Sequence, residues 1–167
     1  MVNIRPAEKK DLPAVMEIYN QAVLTTTATF DIEPRSLANM QAWFDQHGPQ
    51  HPVLVAEQAG EVVGWAALSK WSDKKAYAGT AEVSLYLHEA YRGQGIGRKL
   101  LEALVQAGEQ AGLRTVVAWI SQGNEVSLHL HESLGFKQIG VLDQVGRKFD
   151  RLLGVHLMQK IYGREES

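Results

Sequence analysis

The 167-residue chain contains no cysteine. That absence excludes disulfides, thiolate metal sites and a cysteine nucleophile together. No apolar run approaches the length of a membrane span, and Met1-Val2-Asn3-Ile4-Arg5-Pro6 lacks the apolar core of a signal peptide. An excess of one charge is also missing: the net charge is −2, with 22% of residues charged. No nucleic acid and no membrane is therefore expected as a partner, and the expected location is cytoplasmic. Linkers, repeats and low-complexity stretches are absent from the sequence. One domain spanning 1–167 is expected, large enough to bury a real core. The histidines are scattered, His-Glu-x-x-His does not occur, and His129 and His131 face different ways on a helix, so no metal is expected.

What the sequence does contain is the run Arg92-Gly93-Gln94-Gly95-Ile96-Gly97-Arg98-Lys99. It follows the apolar alternation Glu82-Val83-Ser84-Leu85-Tyr86-Leu87 and opens the helical pattern Leu100-Leu101-Glu102-Ala103-Leu104-Val105. A strand, a glycine-rich turn and a helix N-terminus in that order make an anion site, usually for a phosphate. The helix dipole and the two arginines add positive potential at one point. Two familiar phosphate motifs fail on spacing. Counting six from Gly93 reaches Arg98 and from Gly95 reaches Leu100, so G-x-G-x-x-G is not met. Gly-Lys-Ser/Thr, needed for a Walker A loop, occurs nowhere.

Periodicity orders the rest of the chain. Val2 to Arg5 reads as a strand, and Asp11 as the cap of a helix carrying Leu12, Val15, Ile18, Tyr19 and Ala22. Thr25 to Phe30 reads as loop or edge, and Ser36 caps a second helix with Leu37, Met40, Trp43 and Phe44. Val53 to Glu57 and Val62 to Leu68 form a hairpin across Gln58-Ala59-Gly60-Glu61. After the Glu82 strand come a helix from about Arg98 to Ala111 and a strand over Thr115 to Ile120. A helix from Asn124 to Leu134 ends at a left-handed Gly135, and strands Phe136 to Leu142 and Val155 to Ile161 close the sheet. The order β-α-α-β-β-β-α-β-α-β-β predicts an α/β (α+β) fold, a mixed central sheet flanked by helices.

Chemistry beside such an anion site needs side chains placed to take up and release protons. Glu82, ten residues before Arg92 and among apolar neighbours, is the candidate base, because such company raises a carboxyl pKa. Asn124, Ser127 and His131 share one helix face at spacings of three and four, and the His131 imidazole is a candidate acid or base near pH 7.

The pattern [R/Q]-x-x-G-x-[G/A], met by Arg92, Gly95 and Gly97, resembles the acetyl-CoA pyrophosphate loop of the GCN5-related N-acetyltransferases, the GNAT superfamily. The resemblance implies acetyl-CoA as co-substrate and a homodimer. Gly93 through Arg98 would hold the pyrophosphate, and Leu85, Tyr86 and Leu87 the thioester end. A backbone N–H near Leu85, on a strand bulged away from its neighbour, would be the oxyanion donor. One such donor is worth about 3 kcal/mol of barrier. Many members carry Tyr four residues before the Gly-Phe that ends the last helix; here His131 stands there.

Further segments resemble the branch that acetylates phosphinothricin and methionine sulfone or sulfoximine. They are Ile18 to Val23 with Ala28-Thr29-Phe30; Trp71 with Ala76-Tyr77 and Thr80-Ala81-Glu82; Leu130 through Phe136, which includes Ser133; and Val145-Gly146-Arg147-Lys148-Phe149. That branch acts on the α-amino group of small amino-acid analogues, and His is usual there at the position of His131. Phe30, Trp71 and Tyr77 would line the acceptor pocket, with Lys74 or Lys75 for the carboxylate, where the family often has the two-pronged Arg. Two rivals stay open: a GNAT enzyme acting on protein N-termini, lysines or polyamines, and a non-catalytic CoA-binding module.

Overall fold

A computed structural model describes residues 1–163. In chain order it holds β1 (Asn3–Pro6), α1 (Leu12–Thr25), α2 (Leu37–Asp45), β2 (Val53–Gln58), β3 (Glu61–Lys70), β4 (Thr80–Leu87), α3 (Ile96–Gln110), β5 (Thr115–Ser121), α4 (Glu125–Ser133), β6 (Lys137–Lys148) and β7 (Arg151–Ile161). The strands form one sheet in the order β1-β2-β3-β4-β5-β7-β6. Only β4 and β5 run parallel; every other neighbouring pair is antiparallel. This is the mixed sheet flanked by helices that the periodicity predicts.

The helices cover both faces because their apolar stripes demand it. On one face α3 buries Leu100, Leu101 and Leu104 completely, against Ala66, Leu68, Ala81, Val116 and Met158. On the other, Val15 and Ile18 of α1 and Met40 of α2 pack on Val55, Trp65 and Ala67. Side chains alternate along β4. Val83, Leu85 and Leu87 belong to the α3 side, and Tyr86 to the α1–α2 side, so Glu82 and Ser84 share the face of Tyr86.

Three local expectations are corrected. Asp11 precedes α1 but gives that helix no side-chain cap. Its carboxylate takes two 2.8 Å bonds from the Arg5 guanidinium and one from the Glu8 N–H, because a bidentate charged partner outcompetes a helix N–H. Next, α3 begins at Ile96, two residues before Arg98, with Gly95 as its cap. Finally, the β6–β7 hairpin runs well past Leu142 and Val155, to a two-residue turn at Phe149 (φ 51°) and Asp150 (φ 58°). Left-handed turns of this kind usually advertise themselves with Asn-Gly or Asp-Gly, and this one has no glycine.

Candidate active site

β4 and β5 pair only from Thr80–Glu82 to Thr115–Val117, although β4 continues to Leu87 and β5 to Ser121. Beyond Glu82 the two strands diverge, so the backbone groups of β4 on that side have no ladder partner. A cleft of about 800 Å³ opens there. Leu85, Tyr86 and Leu87 line it from β4, Ser127 and Ser133 from α4, and Asn124 from that helix's N-cap. The expected bulge in β4 is not the cause. Its register with β3 is unbroken from Ala81 to Leu87, and the opening comes from the divergence of β5.

At one end of the cleft stand Arg92, Gly93, Gly95, Gly97 and Arg98. Gly93 and Gly95 lie in the left-handed region, at φ 77° and 80°. The first bond of α3 runs from the Lys99 N–H to the Gly95 carbonyl. The N–H groups of Ile96, Gly97 and Arg98 therefore precede the helical ladder, as an anion site requires. Arg98 Nη1 donates to Ser133 Oγ at 2.8 Å, tying the loop to α4. Two loop residues stay out of the cleft lining: Ile96 is buried in the core, and Gln94 bonds back to the Ala90 carbonyl. Gly95→Ala is expected to cost about 1–2 kcal/mol from its left-handed backbone, read by urea unfolding.

Ser121, at the end of β5, is a cleft residue that spacing alone did not reveal. Its Oγ is buried without a hydrogen-bond partner among the described residues. Buried polar atoms are seldom left so, and an orphan here asks for a polar ligand group. Ala22, Thr26, Thr27 and Ala28 line the cleft as well; Ala22 and Ala28 belong to segments the resemblance singled out, while Thr26 and Thr27 do not. An orphaned hydroxyl, an unpaired strand edge and a helix N-terminus with two arginines together fit a long ligand with amides along its length and phosphates at one end.

Glu82 sits at the last position where β4 pairs with β5, half-buried, opposite Ser69 of β3 and Val117 of β5. Burial pushes its carboxyl above the usual carboxylate range. Trp119 of β5 shares its face, two residues on from Val117, and Trp71 stacks on Trp119 with centroids 6.0 Å apart and planes 10° from parallel. The Trp71 indole thus reaches the side of the sheet that carries Glu82. Lys74, Lys75 and Tyr77 lie exposed in the β3–β4 connection and line neither the cleft nor the smaller cavity on the Glu82 face. Phe30 is held by the β6–β7 hairpin: a Cβ at Gly146 would lie 2.5 Å from its ring. Beside it the buried Lys148 Nζ donates to the Thr29 carbonyl at 2.8 Å.

His131 does not line the cleft. It is 3% exposed, packed edge-on against Phe136 at 5.0 Å. Its Nδ1–H donates to the Ser127 carbonyl at 2.7 Å, which assigns that tautomer. Burial holds its pKa below the usual imidazole value, so it is neutral at pH 7. Of the helix face read from spacing, Asn124 and Ser127 reach the cleft, while His131 supports Ser127 from beneath.

Known proteins share this arrangement. The model of the acetyltransferase (GNAT) family matches residues 13–136. The L-methionine sulfoximine/L-methionine sulfone acetyltransferase of Pseudomonas aeruginosa is 45% identical over 94% of this chain and 92% of its own. The phosphinothricin N-acetyltransferase of Streptomyces coelicolor is 34% identical over 90% of each. A putative acetyltransferase from Salmonella typhimurium, solved with acetyl-CoA, superposes with TM-score 0.95 at 38% identity, covering 100% of this chain and 97% of its own. The chain is a member of the GNAT acetyltransferase family.

Proposed function

We propose that the protein transfers the acetyl group of acetyl-CoA to the α-amino group of a small amino-acid analogue of the methionine sulfone, methionine sulfoximine or phosphinothricin type. The observation that carries the reading is the β4–β5 cleft, running from the Arg92–Arg98 loop to the strand that bears Glu82. Acetyl-CoA supplies an activated thioester. Arg92, Arg98 and the N–H groups at the start of α3 would hold its pyrophosphate, and the free edge of β4 with Ser121 its amide arm. Glu82 accepts the ammonium proton and so frees the attacking lone pair. A β4 backbone N–H near Leu85 stabilises the oxyanion. Trp71 and Phe30 wall the acceptor, with Lys74, Lys75 and Tyr77 closing from the β3–β4 connection. His131 acts through Ser127, as a positioning residue. The thiolate departs with little need of an acid, since a thiol pKa is about 8.5.

The whole chain serves as one catalytic domain, acting in the cytoplasm as a homodimer. An exposed apolar band on the sheet edge supports the dimer: Ile139, Val141, Leu142, Val145, Phe149 and Leu152, all on or between β6 and β7. No partner other than a second copy and the small amine is required; metal, nucleic acid and membrane have no part in it.

A thiol-release assay tests the reading, with acetyl-CoA and a panel of methionine sulfone, methionine sulfoximine, phosphinothricin, common amino acids, spermidine and a lysine peptide. Turnover is expected with the oxidised amino acids. Turnover of the peptide or spermidine alone would refute the small-acceptor assignment.

A further inference from the structure

A base that takes a proton from the acceptor ammonium has to give it up before the next turnover. In the β3–β4 register Ser69 lies directly opposite Glu82, as Ala67 opposes Ser84 and Trp65 opposes Tyr86. Residues so paired share a face and hold their Cβ atoms about 4.5–5.5 Å apart. The face is the one on which Trp65 and Ala67 pack against α1 and α2. There Ser69 Oγ meets His47 Nε2 at 2.9 Å. A polar pair thus stands beside the base, with no part in the acetyl transfer itself.

The end of α2 fixes the His47 ring. Its backbone N–H donates to the Phe44 carbonyl at 3.0 Å, and the ring lies 4.5 Å from that of Trp43, centroid to centroid. Nδ1 lies 2.7 Å from the Trp43 carbonyl, which can only accept, so Nδ1 carries the proton and Nε2 is bare. Ser69 therefore donates its one proton to Nε2. What its oxygen can offer Glu82 is acceptor capacity alone. An ionised Glu82 finds no donor in Ser69, and burial alone raises its carboxyl pKa. A protonated Glu82 finds an acceptor. The pair tells the two states of the base apart and favours the one formed by proton capture.

We propose that Ser69 and His47 carry the proton of the acceptor ammonium from Glu82 to water. The ammonium N–H bond breaks as a Glu82 carboxyl O–H bond forms. That O–H bond breaks in turn as Ser69 Oγ takes the proton and passes its own to His47 Nε2. The imidazolium gives the Nε2 proton to water, the Ser69 hydroxyl swings back, and Glu82 is ionised again. The C-terminal end of α2 favours the transient cation. Burial, and to a lesser degree His51, hold the ring below the usual imidazole pKa, so it does not keep the proton at pH 7. Ser69 and His47 touch no substrate and act through Glu82. The inference rests on Glu82 as the base proposed above and adds where its proton goes.

The test measures kcat with saturating acetyl-CoA and the best acceptor of the panel, with and without added imidazole. Ser69→Ala and His47→Ala are each expected to lower kcat about tenfold and to leave the KM for acetyl-CoA unchanged. Ser69→Thr keeps a hydroxyl and is expected to stay near wild type. Imidazole is expected to restore kcat in His47→Ala, levelling off with concentration, because it replaces the missing proton acceptor. The wild type should not respond to it. A packing role for His47 predicts instead a loss that imidazole does not reverse. Where His47→Ala fails to fold, Ser69→Ala against Ser69→Thr decides, since it changes one half-buried oxygen. Unchanged kcat in Ser69→Ala, or a loss in a folded His47→Ala without rescue, overturns the relay. If Glu82→Gln still fails to turn over, Glu82 nevertheless remains the base. Full turnover in Glu82→Gln removes the base and the relay together.

Discussion

Glu82→Gln is expected to lower kcat by about 10²-fold or more while leaving the KM for acetyl-CoA near its wild-type value. The substitution keeps the shape and removes the proton acceptor, and Glu82 is absent from the lining of the cleft that would hold the co-substrate. Its pH behaviour is equally specific. Burial raises the carboxyl pKa, so the folded protein holds that proton more tightly than the unfolded chain does. Glu82 must lose the proton to act, so kcat should fall on the acid side with a midpoint above the ordinary value of about 4.3. Linkage gives the sign for stability. A group with a raised folded pKa contributes fully below its unfolded pKa and loses that contribution as pH rises through the folded one. At pH 8 the wild type therefore carries a half-buried charge that glutamine would not. Glu82→Gln is expected to melt at or slightly above the wild-type temperature at pH 8, with the difference gone at pH 4. Calorimetry at the two pH values and a pH–rate profile check both halves. Full turnover in the variant would remove Glu82 as the base, whereas a wild type that turns over no amine would point to a CoA-binding module without catalysis.

Replacing Arg92 and Arg98 together by alanine is expected to raise the KM for acetyl-CoA at least tenfold with little change in kcat. Both side chains are exposed at the mouth of the cleft, beside the start of α3. A charge-assisted bond to a phosphate is worth about 1.5–3 kcal/mol, less where water and salt screen it. The interaction is far from the reacting carbonyl, so ground and transition states lose it equally. Raising salt from 50 to 300 mM should weaken acetyl-CoA binding in the wild type and do so less in the double variant. Titration calorimetry at both salt concentrations reads this. Arg98 also holds Ser133, so a small part of the loss should appear in Arg98→Ala alone as a looser α4. Unchanged acetyl-CoA binding in the double variant would remove the pyrophosphate assignment.

The fold was legible in the sequence where periodicity is strong. Leu100, Leu101 and Leu104 define α3, and the alternation from Glu82 to Leu87 defines β4, and both behave as their patterns imply. The glycine loop was legible because a helix N-terminus preceded by left-handed glycines has a sequence signature. Contacts between distant segments were not. Ser121, Thr26 and Thr27 come to line one cleft through the tertiary fold, and nothing in their local sequence marks them. His131 illustrates the opposite case. Its spacing from Ser127 is right, yet 3.6 residues per turn place it under the cleft wall, where its ring bonds the backbone instead. Two motifs singled out separately, Ala28-Thr29-Phe30 and Val145 to Phe149, prove to be one contact, with Gly146 against Phe30 and Lys148 on Thr29.

The most direct measurement is a competition in one tube. Equal concentrations of methionine sulfone and a lysine-containing peptide share limiting acetyl-CoA, and the products are identified by mass spectrometry. The acetyl group is expected on the α-nitrogen of methionine sulfone, and its rate of formation should fall about 10²-fold or more in Glu82→Gln. Acetyl label on the peptide with none on methionine sulfone would contradict the account.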